Sequence, residues 1–319
     1  MSIESGFDEL QGEVDADLDD VREARRRRNV FRKGLGTAED LIEIVPTGSL
    51  SRGTHKDPIH DVDIVAIFDP EKHPEWGDPG DSAENSLRHT SDLIKEKLGQ
   101  NGTEGEEVRL ARLQNHAVKC FLDDPDDESA FTVDVTPALR HPDRGLWIPE
   151  RESRQWIRSD PEHLNGLVAS RHAQWNRFAK LVRVLKRWNA DHGEHMKSLV
   201  VEVIAFHHLP VAERPEALSR FFAAAQEAVW SPVEDPAGLC GEIQADLDRQ
   251  AASAALASAA DAAARAVEAE ARGEDRRAMC LWREIFGDIY PEPFGGCGAG
   301  GVALIPAVPK RKVVDAPQG

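Results

Sequence analysis

The chain has 319 residues, enough to bury a substantial core and near the size at which two domains become common. Its 39 Lys and Arg stand against 57 Asp and Glu, and the net charge of -18 repels a phosphate backbone over most of the surface, disfavouring stable binding of long nucleic acid. No run of about 18 apolar residues occurs, and the N-terminal stretch MSIESGFDELQGEVDADLDD is acidic without an apolar core. A soluble, cytoplasmic protein with no membrane partner is expected. The four cysteines, Cys120, Cys240, Cys280 and Cys297, lie far apart with no CxxC pair and read as reduced, mostly buried thiols.

In chain order, Leu10, Val14, Leu18, Val21, Val30 and Phe31 recur at near-helical spacing and predict one long amphipathic helix from about Phe7 to Lys33. The run Arg25 to Arg28 within it reads as a solvated face. The segment LIEIVPTGSLSRGTHKDPIHDVDIVAIF then reads as strand, turn, short helix, strand. Pro70 to Pro79 is loop, and Ser82 is placed as the cap of a helix carried by Leu87, Leu93, Ile94 and Leu98. Three strand-like stretches follow, VRLARLQ, HAVKCFL and FTVDVTPAL, the last two separated by the acidic turn DDPDDES.

From His163 the pattern becomes helical: residues 171 to 190, KSLVVEVIAFHHL, LSRFFAAAQEAVW, the Ala-rich run Ala251 to Arg272, and RRAMCLWREIFGDIYP. The Gly- and Pro-rich tail from Phe294 reads as a mobile extension. The expected organisation is an α/β (α+β) chain. A mixed-sheet catalytic domain with its N-terminal helix spans 1–160, a helical domain spans 161–293, and a tail spans 294–319.

Chemistry concentrates in Gly48-Ser49, Asp61-Val62-Asp63 and Val133-Asp134-Val135. Side chains at i and i+2 of a strand face the same way, so Asp61 and Asp63 project together. If the strand bearing Asp134 lies beside them, three carboxylates converge as a seat for two hard divalent ions, Mg2+ with Mn2+ as the substitute. Gly48 lets backbone approach phosphates and Ser49 adds a hydroxyl, making the turn a triphosphate cradle. An isolated DxD pair is more often a solvated strand end, and Gly-Ser turns are commoner still. The ordered set of strand, Gly-Ser turn, DxD strand, hairpin and third Asp carries the catalytic reading. His60 is left out of the ligand set because Mg2+ prefers oxygen. Arg52 and Thr54 either order the cradle or approach phosphates.

At these residues the chain resembles the polymerase beta-like nucleotidyltransferase superfamily. Leu185-Lys186-Arg187-Trp188-Asn189, Lys197-Ser198-Leu199 with Glu202, and the segment Leu281 to Pro291 resemble the bacterial relatives of cyclic GMP-AMP synthase, the CD-NTases of antiphage (CBASS) signalling. The likeness covers roughly residues 5 to 295. It implies a polymerase beta-like lobe joined by the long N-terminal helix to a helical lobe, nucleoside triphosphates as substrates, and a cyclic oligonucleotide second messenger as product. It also implies Lys186 and Ser198 as triphosphate ligands. Asn176, about three helical turns before Lys186 on the same expected helix, is a candidate base reader from its position alone. Trp188 and Trp282 read as core aromatics. The terminal Gly319 suits conjugation by operon-encoded ubiquitin-ligase-like machinery, or docking of a regulatory partner.

The alternatives are a linear oligonucleotide synthase or RNA-end nucleotidyltransferase, which the charge of -18 opposes, a transferase modifying a protein or small molecule, and a degenerate nucleotide-binding scaffold, which would be expected to have lost a carboxylate.

Overall fold

The computed structural model describes residues 2–99, 108–127 and 130–298. The elements in chain order are α1 (Ile3–Val14), α2 (Leu18–Leu35), β1 (Leu41–Pro46), α3 (Gly48–Arg52), β2 (Asp61–Phe68) and α4 (Ser82–Leu98). They continue with β3 (Leu110–Leu113), β4 (Val118–Phe121), β5 (Thr132–Arg140), β6 (Leu146–Glu150), β7 (Gln155–Ser159) and α5 (Pro161–Gln174). The chain finishes with α6 (Phe178–Asp191), α7 (Ser198–His208), α8 (Arg214–Ala228), α9 (Arg249–Ala271) and α10 (Asp275–Phe286). Two compact units result. Within the described residues a sheet unit comprises 16–99, 108–127, 130–169 and 235–241, and a helical unit comprises 2–15, 170–234 and 242–298.

In the sheet unit the strands run in the order β1-β2-β5-β4-β3, with β6 paired to β5 and β7 to β6. The β2–β5 pair is parallel and its neighbours are antiparallel, so the sheet is mixed. Period-2 alternation decides what each face carries. Val62, Ile64, Ala66 and Phe68 of β2, Val133 and Val135 of β5, and Val118 and Cys120 of β4 join one core. Phe31 and Leu35 of α2 and Leu87 and Ile94 of α4 belong to the same core. The opposite phase of β2 gives Val65 and Ile67 to a second, smaller cluster with Val45, Ala138, Leu146 and Ile148. Asp61 and Asp63 belong to that second phase, at the end of the strand where the cluster stops.

In the helical unit Phe7 of α1 meets Trp282 edge-on at 5.0 Å and Tyr290 at 5.3 Å. The Tyr290 hydroxyl donates to the Ile3 carbonyl at 3.2 Å. Gly6 makes this approach possible, since a Cβ there would stand 2.6 Å from the hydroxyl oxygen. The Ala-rich α9 buries Leu256 and seven alanines on one side, so the small side chains allow close packing with α8 and α10. Trp188 and Trp282 are both buried, as core aromatics should be.

Four local expectations are corrected. The single N-terminal helix is two helices, broken at Asp15 to Asp17. The Asp17 carboxylate accepts from the Asp19 N–H and starts α2 anew. Ser82 is the first residue of α4 rather than its cap, and its hydroxyl accepts from Trp156 Nε1 at 2.8 Å. The helix expected over 171–190 is interrupted at residues 175–177, so Asn176 lies in a turn and not on the helix of Lys186. Cys280 and Cys297 are joined in a disulfide with Cα atoms 5.5 Å apart, while Cys120 and Cys240 are free thiols. Sequence spacing hid that pair because the chain turns back after Tyr290. The β6–β7 hairpin, which no pattern in the sequence had indicated, completes the sheet unit.

Candidate active site

The parallel register of β2 and β5 sets Asp63 beside Asp134 and Asp61 beside Thr132. Neighbouring residues in register present their side chains on the same sheet face, and Asp61 lies two residues from Asp63, so all three carboxylates share that face. Asp61 is exposed, whereas Asp63 and Asp134 are half-buried. Rigid strands hold the cluster, and the flanking apolar residues anchor those strands in the two cores.

The turn after β1 abuts the same point. Thr47 N–H donates to the Asp63 carbonyl at 3.0 Å, prolonging the β1–β2 ladder to the last residue before α3. Gly48 follows with φ of +71°, a left-handed conformation that favours glycine. A Cβ at Gly48 would fall 1.8 Å from Asp63 Oδ2, inside any contact distance. Glycine is therefore needed both for the backbone bend and for room beside the carboxylate. Ser49 occupies the first turn of α3, and Thr54 N–H donates to its carbonyl at 3.0 Å. Arg52 and Thr54 are buried, consistent with ordering the turn.

One participant was missed at the sequence level. Lys119 of β4 is in register with Asp134, and its Nζ lies 3.3 Å from Asp134 Oδ2. Burial of the ammonium works against its charge, but Asp134, Asp61 and Asp63 outweigh that and hold its pKa above the usual lysine value. A cation thus already sits where the three carboxylates direct their field. The signal was present, because Lys119 interrupts Val118 and Cys120 in the polar phase of a strand. The hairpin register needed to bring it to Asp134 was not legible.

Gly48, Ser49, Asp61, Asp63 and Asp134 all belong to the sheet unit. Lys186 and Ser198 belong to the helical unit. Lys186 is 4% exposed and pairs with the fully buried Glu202 at 2.7 Å, linking α6 to α7. Ser198 is exposed as the first residue of α7. The three-carboxylate set offers only oxygen donors, with the Lys119 ammonium beside Asp134. That chemistry fits hard divalent ions such as Mg2+.

A family model described as the Second Messenger Oligonucleotide or Dinucleotide Synthetase domain matches residues 1–171. The chain belongs to this family. A probable cyclic nucleotide synthase of Bacillus cereus (strain VD146) is 21% identical to this synthetase over 322 residues, covering 88% of this chain and 95% of that protein. A cyclic AMP-AMP-AMP synthase of Escherichia coli (strain MS 115-1) is 26% identical over 220 residues, 64% of each chain. Among solved structures, Escherichia coli MS115-1 CdnC with ATP superposes with a TM-score of 0.69 at 17% identity, covering 91% of this chain and 99% of that one. The synthetase is accordingly a nucleotidyltransferase with the polymerase beta-like fold, and its resemblance to the CD-NTases holds. Among the described residues no helix is long and apolar enough to cross a membrane.

Proposed function

We propose that this synthetase joins ribonucleoside triphosphates into a cyclic oligonucleotide second messenger with release of pyrophosphate, in a magnesium-dependent reaction serving antiphage signalling. The reading is carried by the in-register pair of Asp63 and Asp134 on adjacent parallel strands, with Asp61 on the same face and Gly48 pressed against Asp63. Two Mg2+ ions, when bound, supply the charge that makes an attacking hydroxyl acidic and a departing pyrophosphate stable. Asp61 and Asp63 would hold both ions. Asp134 would hold the one nearer the acceptor hydroxyl and take up its proton. Lys119 keeps Asp134 oriented, and Gly48 leaves the backbone open to phosphate oxygens while Ser49 offers its hydroxyl.

Ser198 and Lys186 are the proposed triphosphate ligands of the helical unit, a role resting on the family resemblance. ATP is proposed among the substrates because CdnC, whose fold this chain shares, is seen with ATP. A regulatory or ubiquitin-ligase-like partner at the C-terminal tail is likewise proposed. Gly319 and the rest of 299–319 lie outside the described residues.

Incubating the purified protein with the four labelled ribonucleoside triphosphates and Mg2+, then treating with phosphatase, tests the reading. A phosphatase-resistant small product is expected. A ladder of linear products would replace cyclisation with linear polymerisation, and inertness in the presence of activating partners would overturn the assignment.

A further inference from the structure

At the other end of β2 from the catalytic carboxylates, Asp40, His73 and His89 converge from three elements distant in sequence. Asp40 ends the α2–β1 connection, His73 lies in the connection after β2, and His89 is on α4. Asp40 Oδ2 is 2.9 Å from His73 Nε2 and 2.7 Å from His89 Nε2. The three ligand-type atoms all lie within 4.8 Å of one another. From Asp63 to Phe68 is five strand residues, about 17 Å at roughly 3.3 Å per residue, so this cluster is separate from the active site.

We propose that Asp40, His73 and His89 form a second metal site, selective for a borderline transition ion such as Zn2+ over Mg2+. Two imidazole nitrogens and one carboxylate oxygen match the donors Zn2+ takes, and Mg2+ accepts imidazole poorly. The imidazoles are already oriented. His73 stacks on Trp76 with ring centres 4.0 Å apart, and Phe68 meets His73 and His89 edge-on at 5.7 and 5.6 Å. This aromatic shell limits rotation and lowers the local dielectric, as the surroundings of built metal sites do. His73 and Asp40 are mostly buried, at 11% and 19% side-chain exposure, whereas His89 at 39% leaves an approach for the ion and a place for water as a fourth ligand.

The site has a structural role in the fold. The connection from Asp69 to Asp81 runs 13 residues without helix or strand and buries a single large apolar side chain, Trp76. Unsupported connections of about that length are uncommon in compact domains. A metal held by His73, His89 and Asp40 clips this connection to α4 and to the start of β1, replacing the core it lacks.

The test uses the full-length protein, stripped with a chelator and titrated with Zn2+ alone, with metal content, calorimetry and thermal midpoint as readouts. Co2+ then serves as a spectroscopic probe through its tetrahedral d–d bands. One equivalent of Zn2+ is expected, with a raised thermal midpoint. Binding should be weaker by about a hundredfold or more in His89→Ala and in Asp40→Asn, which preserves the side-chain shape. The Asp61→Ala/Asp63→Ala variant should bind Zn2+ at this site as the wild type does. No Zn2+-dependent change in the wild type, undiminished binding in both His89→Ala and Asp40→Asn, or loss of binding in Asp61→Ala/Asp63→Ala would overturn the proposal. The first outcome would make the cluster a hydrogen-bonded hub without an ion, and the last would assign the Zn2+ to the catalytic carboxylates.

Discussion

A methyl group at Gly48 would overlap Asp63, so the turn and the carboxylate proposed to bind metal are not independent. Gly48→Ala should displace Asp63 and the turn by about an ångström and lower turnover by about 100-fold, the usual penalty for such a misplacement. The left-handed φ and the clash also cost stability, so the thermal midpoint should fall, by the equivalent of about 1 kcal/mol or more. Steady-state kinetics beside thermal unfolding check it, and a variant of wild-type activity would show that the turn and the carboxylate do not share a site. Lys186 presents a different residue-scale question, because its pairing with the buried Glu202 is structural as it stands. Lys186→Met leaves a carboxylate buried without that ammonium and should destabilise the helical unit by about 3–5 kcal/mol. The double variant Lys186→Met/Glu202→Leu should recover most of that loss in denaturant unfolding. If the double variant is as unstable as the single, the pair is not what holds α6 to α7.

At the scale of elements, what could be read in the sequence depended on whether the deciding contact was local. Asp61 and Asp63 were legible because two-residue alternation fixes their shared face without knowledge of any partner strand. Asp134 was legible because a carboxylate between two valines of a buried strand is costly unless a cation offsets its desolvation. Lys119 was not, since its role depends on hairpin register. The break between α1 and α2 was obscured because apolar spacing continues across it, although Asp17 carries a cap signal that outweighs periodicity there. The β6–β7 hairpin was missed because its short strands mix aromatic, charged and proline residues and lack a clean alternation. The Cys280–Cys297 bridge required knowing that the chain returns to α10 after Tyr290. It predicts a direct chemical result: in denaturant without reductant, a thiol reagent should titrate two sulfhydryls per chain, rising to four after reduction. Four from the outset would mean that the bridge does not form.

For the whole molecule, composition set limits and the strand motifs supplied the chemistry. A net charge of -18 opposes a long nucleic-acid partner, and a synthetase that takes free nucleotides needs positive charge only locally. The class of fold followed from helical periodicity replacing strand alternation near residue 160, and family membership agrees with it. Which bases are joined, and through which hydroxyl, depends on pocket contacts that strand alternation does not encode. The central claim is that Asp61, Asp63 and Asp134 carry nucleotidyl transfer, and pyrophosphate release in Mg2+ by wild type and Asp134→Asn, with folding monitored by circular dichroism, tests it most directly. A loss of about 100- to 1,000-fold with the fold intact is predicted; wild-type release by Asp134→Asn would contradict the account.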